Sequence, residues 1–306
     1  VKTPIAVFAF NRASHLKKTL DHLRDCKSSS ERHLIIHIDG PRNNSDIDKI
    51  EEVHKVALGI TGFLSSTVVK SDKNKGCAKS IIEGISNCFK LHERLIVIED
   101  DILCNPNTLE FLDSALDKYN DRMAAFSISA WAPPPKFMTS SQEYPYGAFF
   151  APRFHCWGWA TWKNRWQLCD WSASGCKDVF ECQSVKKSYS KGGGDLPGML
   201  QQQLLNNISS WDILTDYTRF RHGGLTLYPV RSFTTNIGFD GSGLHCGAQD
   251  PYANDITLAD PDPLLPDHVF VDEAMAATLR RAYDPLPPPT LRQRVVGKLR
   301  RMAGRA

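Results

Sequence analysis

Along the first 130 residues the hydrophobic positions follow two patterns in turn. Unbroken apolar runs at residues 5–10 (IAVFAF), 34–38 (LIIHI) and 95–98 (LIVI) read as strands buried on both faces, the kind found in parallel sheets. Between them apolar residues recur at helical spacing. Leu16, Leu20 and Leu23 follow a candidate N-cap at Ser14; Ile81, Ile85, Cys88 and Phe89 form a second stripe; Leu109, Leu112 and Leu116 form a third, behind a start at Asn105-Pro106. A short strand around Val68-Val69 and another at 124–129 complete the series. Strand and helix in alternation predict an α/β fold: a mostly parallel sheet with helices on both faces.

The pattern changes after residue 130. Residues 131–175 are rich in Trp, Pro and Phe, 191–197 (KGGGDLP) predicts a mobile loop, and a helical stretch covers about 198–220. From about 248 to 290 the chain is rich in Pro and Asp, and "DPLPPPT" reads as a stiff linker. Leu291, Val295, Leu299 and Met302 then recur at helical spacing among basic residues. Residues 1–247 are therefore expected to form the main domain, 248–290 an extension and linker, and 291–306 a basic amphipathic helix.

Composition narrows the class. At 306 residues, 42% hydrophobic and 23% charged, the chain has the make-up of a soluble globular protein with a large core. No apolar run approaches the ~20 residues that span a bilayer, and the opening apolar run is too short for a signal peptide. Nine cysteines without a CxxC pair argue against a disulfide framework or structural zinc, and for reduced thiols in a cytoplasm. The net charge of +3 is unevenly placed, since residues 291–306 carry six Lys/Arg and no acid. A basic patch confined to one tail is a poor nucleic-acid footprint, so no nucleic-acid partner is expected. It suits either an anionic membrane surface or a solvated terminal helix.

The chemistry gathers where the strands end. Three of them finish in polar residues: Asn11-Arg12, Asp39-Gly40 and Glu99-Asp100-Asp101. Three adjacent carboxylates raise one another's pKa and cost stability unless a cation neutralises them. One reading is a solvated acidic turn. The other is a divalent-cation site at the carboxyl edge of an open sheet, where α/β folds bind ligands. There is no GxxxxGK[ST] loop and no GxGxxG after the first strand. A bound nucleotide would then be neutralised by Mg²⁺ or Mn²⁺, which takes one or two carboxylates plus substrate phosphates. In that cleft Asp39 could hold a base or ribose and Arg12 a phosphate. Lys75 and Lys79, flanking Gly76, either meet phosphate or base or are surface lysines.

The stretches "PIAVFAFNR", "IIHIDG", "NKGCAKSIIEGI" and "LIVIEDDI" resemble the nucleotide-sugar half of a GT-A glycosyltransferase, and family 2 enzymes have similar loops. The order of "EDD" (99–101), "SAW" (129–131), "CWGWATW" (156–162), "WD" (211–212) and "GSGLHCG" (241–247) resembles the N-acetylglucosaminyltransferase I family and its bacterial relatives. That resemblance implies a GT-A fold, with 1–130 as the nucleotide-sugar half and 131–247 as the acceptor and catalytic half. It makes Asp101 the metal ligand, places Glu99 and Asp100 near the donor, Asp39 on uracil or ribose and Arg12 close to the nucleotide. Asp212 becomes the general base, with Asp216 one turn later as its competitor. The family's second acidic or aromatic position after the Trp-Asp pair is Ile213-Leu214 here. His245 would sit on the diphosphate or complete the metal shell, with Asp240 a second candidate in the same loop. Of Trp157, Trp159, Trp162, Trp166 and Trp171, most are expected to be core, with one or two reaching ligand.

The expectation is an inverting, metal-dependent transferase. It would use a nucleotide-diphosphate sugar, UDP-linked, on a glycan or lipid-linked acceptor in bacterial surface polysaccharide synthesis, in the cytoplasm and at the inner face of the plasma membrane through 291–306. A nucleotidyltransferase shares the sheet and the metal logic but would need a Gly-rich, Arg-containing loop after the first strand, and "AFNRASHLKK" has none. A catalytically idle relative that binds sugar nucleotide or glycan is the third reading.

Overall fold

The computed structural model describes residues 2–137, 144–241 and 250–283. Its first part runs β1 (Ile5–Ala9), α1 (Ala13–Arg24), β2 (His33–Ile38), α2 (Asn44–Leu58), β3 (Ser65–Lys70), α3 (Cys77–Cys88) and β4 (Arg94–Glu99). The four strands are mutually parallel neighbours. The chain continues through β5 (Ile102–Cys104), α4 (Thr108–Lys118), β6 (Ala125–Ser129), β7 (Ala148–Ala151) and β8 (Trp159–Trp162). Then come α5 (Lys163–Trp166), α6 (Lys177–Glu181), α7 (Gln183–Tyr189), α8 (Leu196–Leu204), α9 (Trp211–Arg221), β9 (Leu225–Pro229), β10 (Thr234–Asn236) and α10 (Glu273–Tyr283). Eight strands form one sheet in the order β3-β2-β1-β4-β8-β6-β9-β7, with β8 and β7 reversed; β5 and β10 form a separate antiparallel pair. The α/β fold with a mostly parallel sheet is as expected.

Side chains alternate across a strand, and this splits the core. Ile5, Val7 and Ala9 of β1, with Ile96 and Ile98 of β4, face the layer that contains α1, α2 and α4. Ala6 and Phe8, with Leu95 and Val97, face α3, the start of α9 and the tryptophans. Leu16, Leu20 and Leu23 of α1 are fully buried, each contributing roughly 1.5–3 kcal/mol. Five tryptophans (131, 159, 162, 166 and 211) are core, while Trp157 and Trp171 are half-buried.

Several expectations change. Helix α1 begins at Ala13 and its N-cap position is Arg12 without a side-chain cap bond, so Ser14 already lies inside the helix. The acidic triplet leads not into a helix but into β5, and α4 starts only at Thr108. The helical stretch at 198–220 is two helices, α8 and α9, separated by a turn containing Asn206 at φ 57°. Residues 190–192 form a 3-10 turn, with Gly192 and Gly193 buried, where a mobile loop was expected. Residues 250–283 pack back onto the domain. Lys118 and Tyr119 donate to the carbonyls of Leu265 and Pro266 at 2.8 and 2.6 Å, and Met275 and Leu279 of α10 lie against Trp131 and Phe149. The basic segment 291–306 lies outside the described residues, as does His245. No helix among the described residues is long and apolar enough to cross a membrane.

Candidate active site

The alternation of β4 continues into the acidic triplet and divides it. Glu99 falls on the α3 face with Leu95 and Val97, whereas Asp100 falls on the α1 face with Ile96 and Ile98. Asp100 and Asp101 are buried, 4% and 7% exposed. Thr19 of α1 donates its hydroxyl to the Asp100 carbonyl at 2.8 Å, and the amide of Ile237, just after β10, donates to the Asp101 carbonyl at 2.9 Å. Gly238 closes the turn from the far side. A Cβ there would stand 2.3 Å from Asp101 Oδ2, so only glycine fits against that oxygen. Asn236, 6% exposed, accepts the Gly238 amide at 2.6 Å and sets the same loop.

Arg12 is a cation whose charge acts on both Glu99 and Asp100. Its Nη2 donates to Asp100 Oδ1 and, at 2.9 Å, to Asp101 Oδ2, while its Nη1 is buried with no partner among the described residues. Burial works against the Arg12 charge, but Asp100 and Asp101 outweigh it and hold the guanidinium protonated. Burial raises the Asp100 carboxyl to about 6 against the pull of Arg12, with Asp101 adding to the rise. Burial followed by the charges of Asp101, Asp100 and Asp212 raises Glu99 further, to about 8.

The other half of the cluster is built by α9. Ser210 accepts the Ile213 amide at 3.4 Å as N-cap and donates its hydroxyl to Asp212 Oδ1. Trp211 is buried, stacked on Trp159 at 5.6 Å, which seats the first turn of the helix against the sheet. Asp212 is only half-buried, and its charge acts on Glu99, Cys77 and Cys156. Both thiols are pushed up, first by burial and next by Glu99 and Asp212, which disfavours the thiolate. The carboxyl edge thus carries four carboxylates in two groups. Asp100 and Asp101 face Arg12, and Glu99 and Asp212 face the cysteines.

Other candidates sit differently. Asp39 is buried, and its oxygens accept from the Gly40, Lys75 and Gly76 amides at 2.9 Å each and from Asn74 Nδ2 at 3.1 Å. Its carboxylate therefore shapes the 74–76 loop. Gly40 makes this fit possible, since a Cβ there would meet the Lys73 carbonyl carbon at 2.4 Å. Lys79 points away from the acids, exposed and 3.8 Å from Glu83, which also pairs with Lys75 at 2.9 Å. Asp216 is buried in an ion pair with Arg219 at 3.0 Å and accepts the Phe154 amide at 2.6 Å, a structural role. Asp240 lies 3.1 Å from His15 Nε2. Sequence reading missed Thr19, Asn236 and Gly238. The Asn-x-Gly spacing of a turn was visible, but its contact with Asp101, 137 positions away, was not.

The donor set tests whether a metal fits. Among the described residues no three His, Cys, Asp or Glu side chains are grouped to hold an ion by themselves. Asp100 and Asp101 supply hard oxygen donors, and the Gly238 turn leaves Asp101 Oδ2 uncrowded. Two carboxylates completed by water and substrate phosphate suit Mg²⁺ or Mn²⁺ and not zinc.

Comparison with known proteins adds a family. The sequence profile of "Glycosyl transferase family 2" matches residues 5–177, which include β1 to β4 and the acidic triplet. No protein of curated function matches significantly. Among solved structures, the mannosyltransferase PcManGT of Pyrobaculum calidifontis, in complex with GDP-Man and Mn²⁺, aligns at 15% identity and TM-score 0.34 over 53% of this chain and 45% of its own. Residues 1–349 of S. aureus TarS align at 12% identity and TM-score 0.40, over 76% of this chain and 60% of that one. The galactosyltransferase LgtC, with donor and acceptor sugar analogues, aligns at 11% identity and TM-score 0.37, over 73% and 72%. The chain thus spans less than two thirds of the first two.

Proposed function

The chain belongs to glycosyl transferase family 2, and from that premise we propose that it is an inverting, metal-dependent glycosyltransferase that uses a nucleotide-diphosphate sugar. The observation that carries this reading is the crowding of negative charge at the carboxyl edge: Asp100 and Asp101 share the guanidinium of Arg12, and Glu99 and Asp212 act on each other beside them. A fold tolerates such crowding where a ligand brings the missing positive charge. Asp101, with Asp100 beside it, would hold Mg²⁺ or Mn²⁺, and the bound ion would stabilise charge developing on the leaving diphosphate.

The protein's own residues supply the remainder. Asp212 projects from the first turn of α9, half-exposed, and takes the proton from the acceptor hydroxyl as that oxygen attacks the anomeric carbon. A new C–O bond forms on one face while the bond to the diphosphate oxygen breaks on the other, which inverts the centre. Ser210, hydrogen-bonded to Asp212, orients the carboxylate. Asp39 acts indirectly by fixing the 74–76 loop beside the nucleotide. The order of EDD, SAW, CWGWATW and WD supports the finer likeness to the N-acetylglucosaminyltransferase I family and, with it, a UDP-linked hexose or N-acetylhexosamine. The basic composition of 291–306 supports work at an anionic membrane surface on a glycan or lipid-linked acceptor.

The test is nucleotide release from a panel of UDP- and GDP-sugars, with Mn²⁺ or EDTA and with simple glycoside acceptors. The proposal expects metal-dependent release of the nucleoside diphosphate. Release of sugar 1-phosphate, with the nucleoside monophosphate passed to the acceptor, would point to nucleotidyl transfer instead, and metal-dependent binding without release would leave only a binding protein.

A further inference from the structure

We propose that Arg12 is a resident counterion of the acidic turn that the divalent cation displaces, and that the displaced guanidinium then grips the diphosphate, coupling metal and nucleotide binding through one side chain. This rests on the metal and nucleotide reading of the site. The geometry sets up the competition. Nη2 reaches one oxygen of Asp100 and one of Asp101, the same two carboxylates the ion needs. An ion on Asp101 Oδ2 would stand against a guanidinium already bonded to that oxygen, and like charges at such range repel strongly. One of them has to leave.

The resting position also leaves Arg12 half-satisfied. Nη1 is buried without a partner among the described residues, and a buried donor without an acceptor is costly. A phosphate oxygen would fill that vacancy, because guanidinium binds phosphate through paired N–H donors. Moving the side chain costs helix α1 nothing: Arg12 occupies its N-cap position but makes no side-chain cap bond. In the absence of nucleotide the ion must push Arg12 off with no new acceptor to receive it. With a diphosphate present the acceptor is there. Metal and nucleotide must then each strengthen the other's binding by the same factor.

Mn²⁺ titrations followed by the electron paramagnetic resonance of the free ion test this, with and without UDP or GDP and corrected for ion chelated by the nucleotide. In the parent protein the nucleotide should tighten Mn²⁺ binding at least tenfold. Arg12→Met should bind Mn²⁺ alone at least tenfold more tightly than the parent and lose most of the nucleotide's effect; Arg12→Lys should keep part of it. Should Arg12→Met fail to fold, Arg12→Gln takes its place, and thermal midpoints with and without Mn²⁺ report the same order. Equal Mn²⁺ affinity in variant and parent, or undiminished coupling, overturns the inference while leaving the metal reading standing. No Mn²⁺ binding in any protein or condition overturns both.

Discussion

At the amino edge of the sheet Glu110, Asp113 and Asp117 are matched by Lys2, Arg32 and Arg94. Lys2 pairs with Glu110 at 3.0 Å, Arg32 with Asp113 at 2.7 Å, and Arg94 with Asp117. At the carboxyl edge, Asp100 and Asp101 share Arg12, and Glu99 and Asp212 crowd beside them. A cavity of about 430 Å³ lies at the amino edge, lined by Glu31, Glu110, Asp113 and Asp117 with Lys2 and Arg94. Acidity alone would make it a candidate site. The proposed function rests on the other edge, because matched pairs need no ligand and the unmatched cluster does. The shifts agree: Glu110 is held below its ordinary range despite partial burial, by Ser28 and Lys2, whereas Glu99 and Asp100 are pushed above theirs.

The largest effect that would sharpen this contrast is on turnover. Asp212→Asn should lower kcat by about 10²–10⁴-fold, the usual worth of a general base, with Mn²⁺-dependent nucleotide binding by calorimetry unchanged. A parallel loss of nucleotide affinity would mean that Asp212 serves the donor side. Next comes stability at the matched edge. Arg32 is fully buried, and Arg32→Met strands Asp113; the expected cost is about 3–5 kcal/mol in denaturant unfolding, with Mn²⁺ affinity untouched. Altered metal binding in that variant would break the separation of the two edges.

The smallest effect is on pH. Glu99 and Asp100 have raised pKa values, so their stability contribution is complete in acid, below their ordinary 4.5 and 3.8, and is lost as pH rises through about 8 and about 6. Glu110 has the opposite sign: its contribution is present above its ordinary value of 4.5 and lost as pH falls. The thermal midpoint of metal-free protein should therefore decline between pH 5 and pH 8.5, and the rise caused by Mn²⁺ should grow over that window. Glu99→Gln should flatten both trends. A Mn²⁺ effect constant across pH would show that the ion does not relieve these carboxylates.

How legible each part was follows from how local its cause is. The strands β1, β2 and β4 and the stripe Leu16, Leu20 and Leu23 are written in adjacent or helix-spaced residues, and sequence reading found them. Helix α2 was missed because only Ile50, Val53 and Ala57 of its apolar residues are buried along 15 positions, too sparse a stripe to stand out. Strand β5 has three residues and exists through pairing with β10, where Cys104 meets Thr234. No local pattern announces that. At the site, the acidic triplet and Trp211-Asp212 were visible as motifs. The anchoring of Asp39 by Asn74, Lys75 and Gly76 was not, because those donors arrive from a loop 35 to 37 residues further on.

The central claim is that the carboxyl edge lacks positive charge which a divalent ion supplies along with the nucleotide. Calorimetric titration of UDP and GDP with Mn²⁺, comparing the parent with Asp101→Ala, tests it most directly. The account predicts nucleotide binding that requires Mn²⁺ in the parent and disappears in Asp101→Ala. Binding of equal strength in the two proteins, or in the parent with EDTA in place of Mn²⁺, would contradict it.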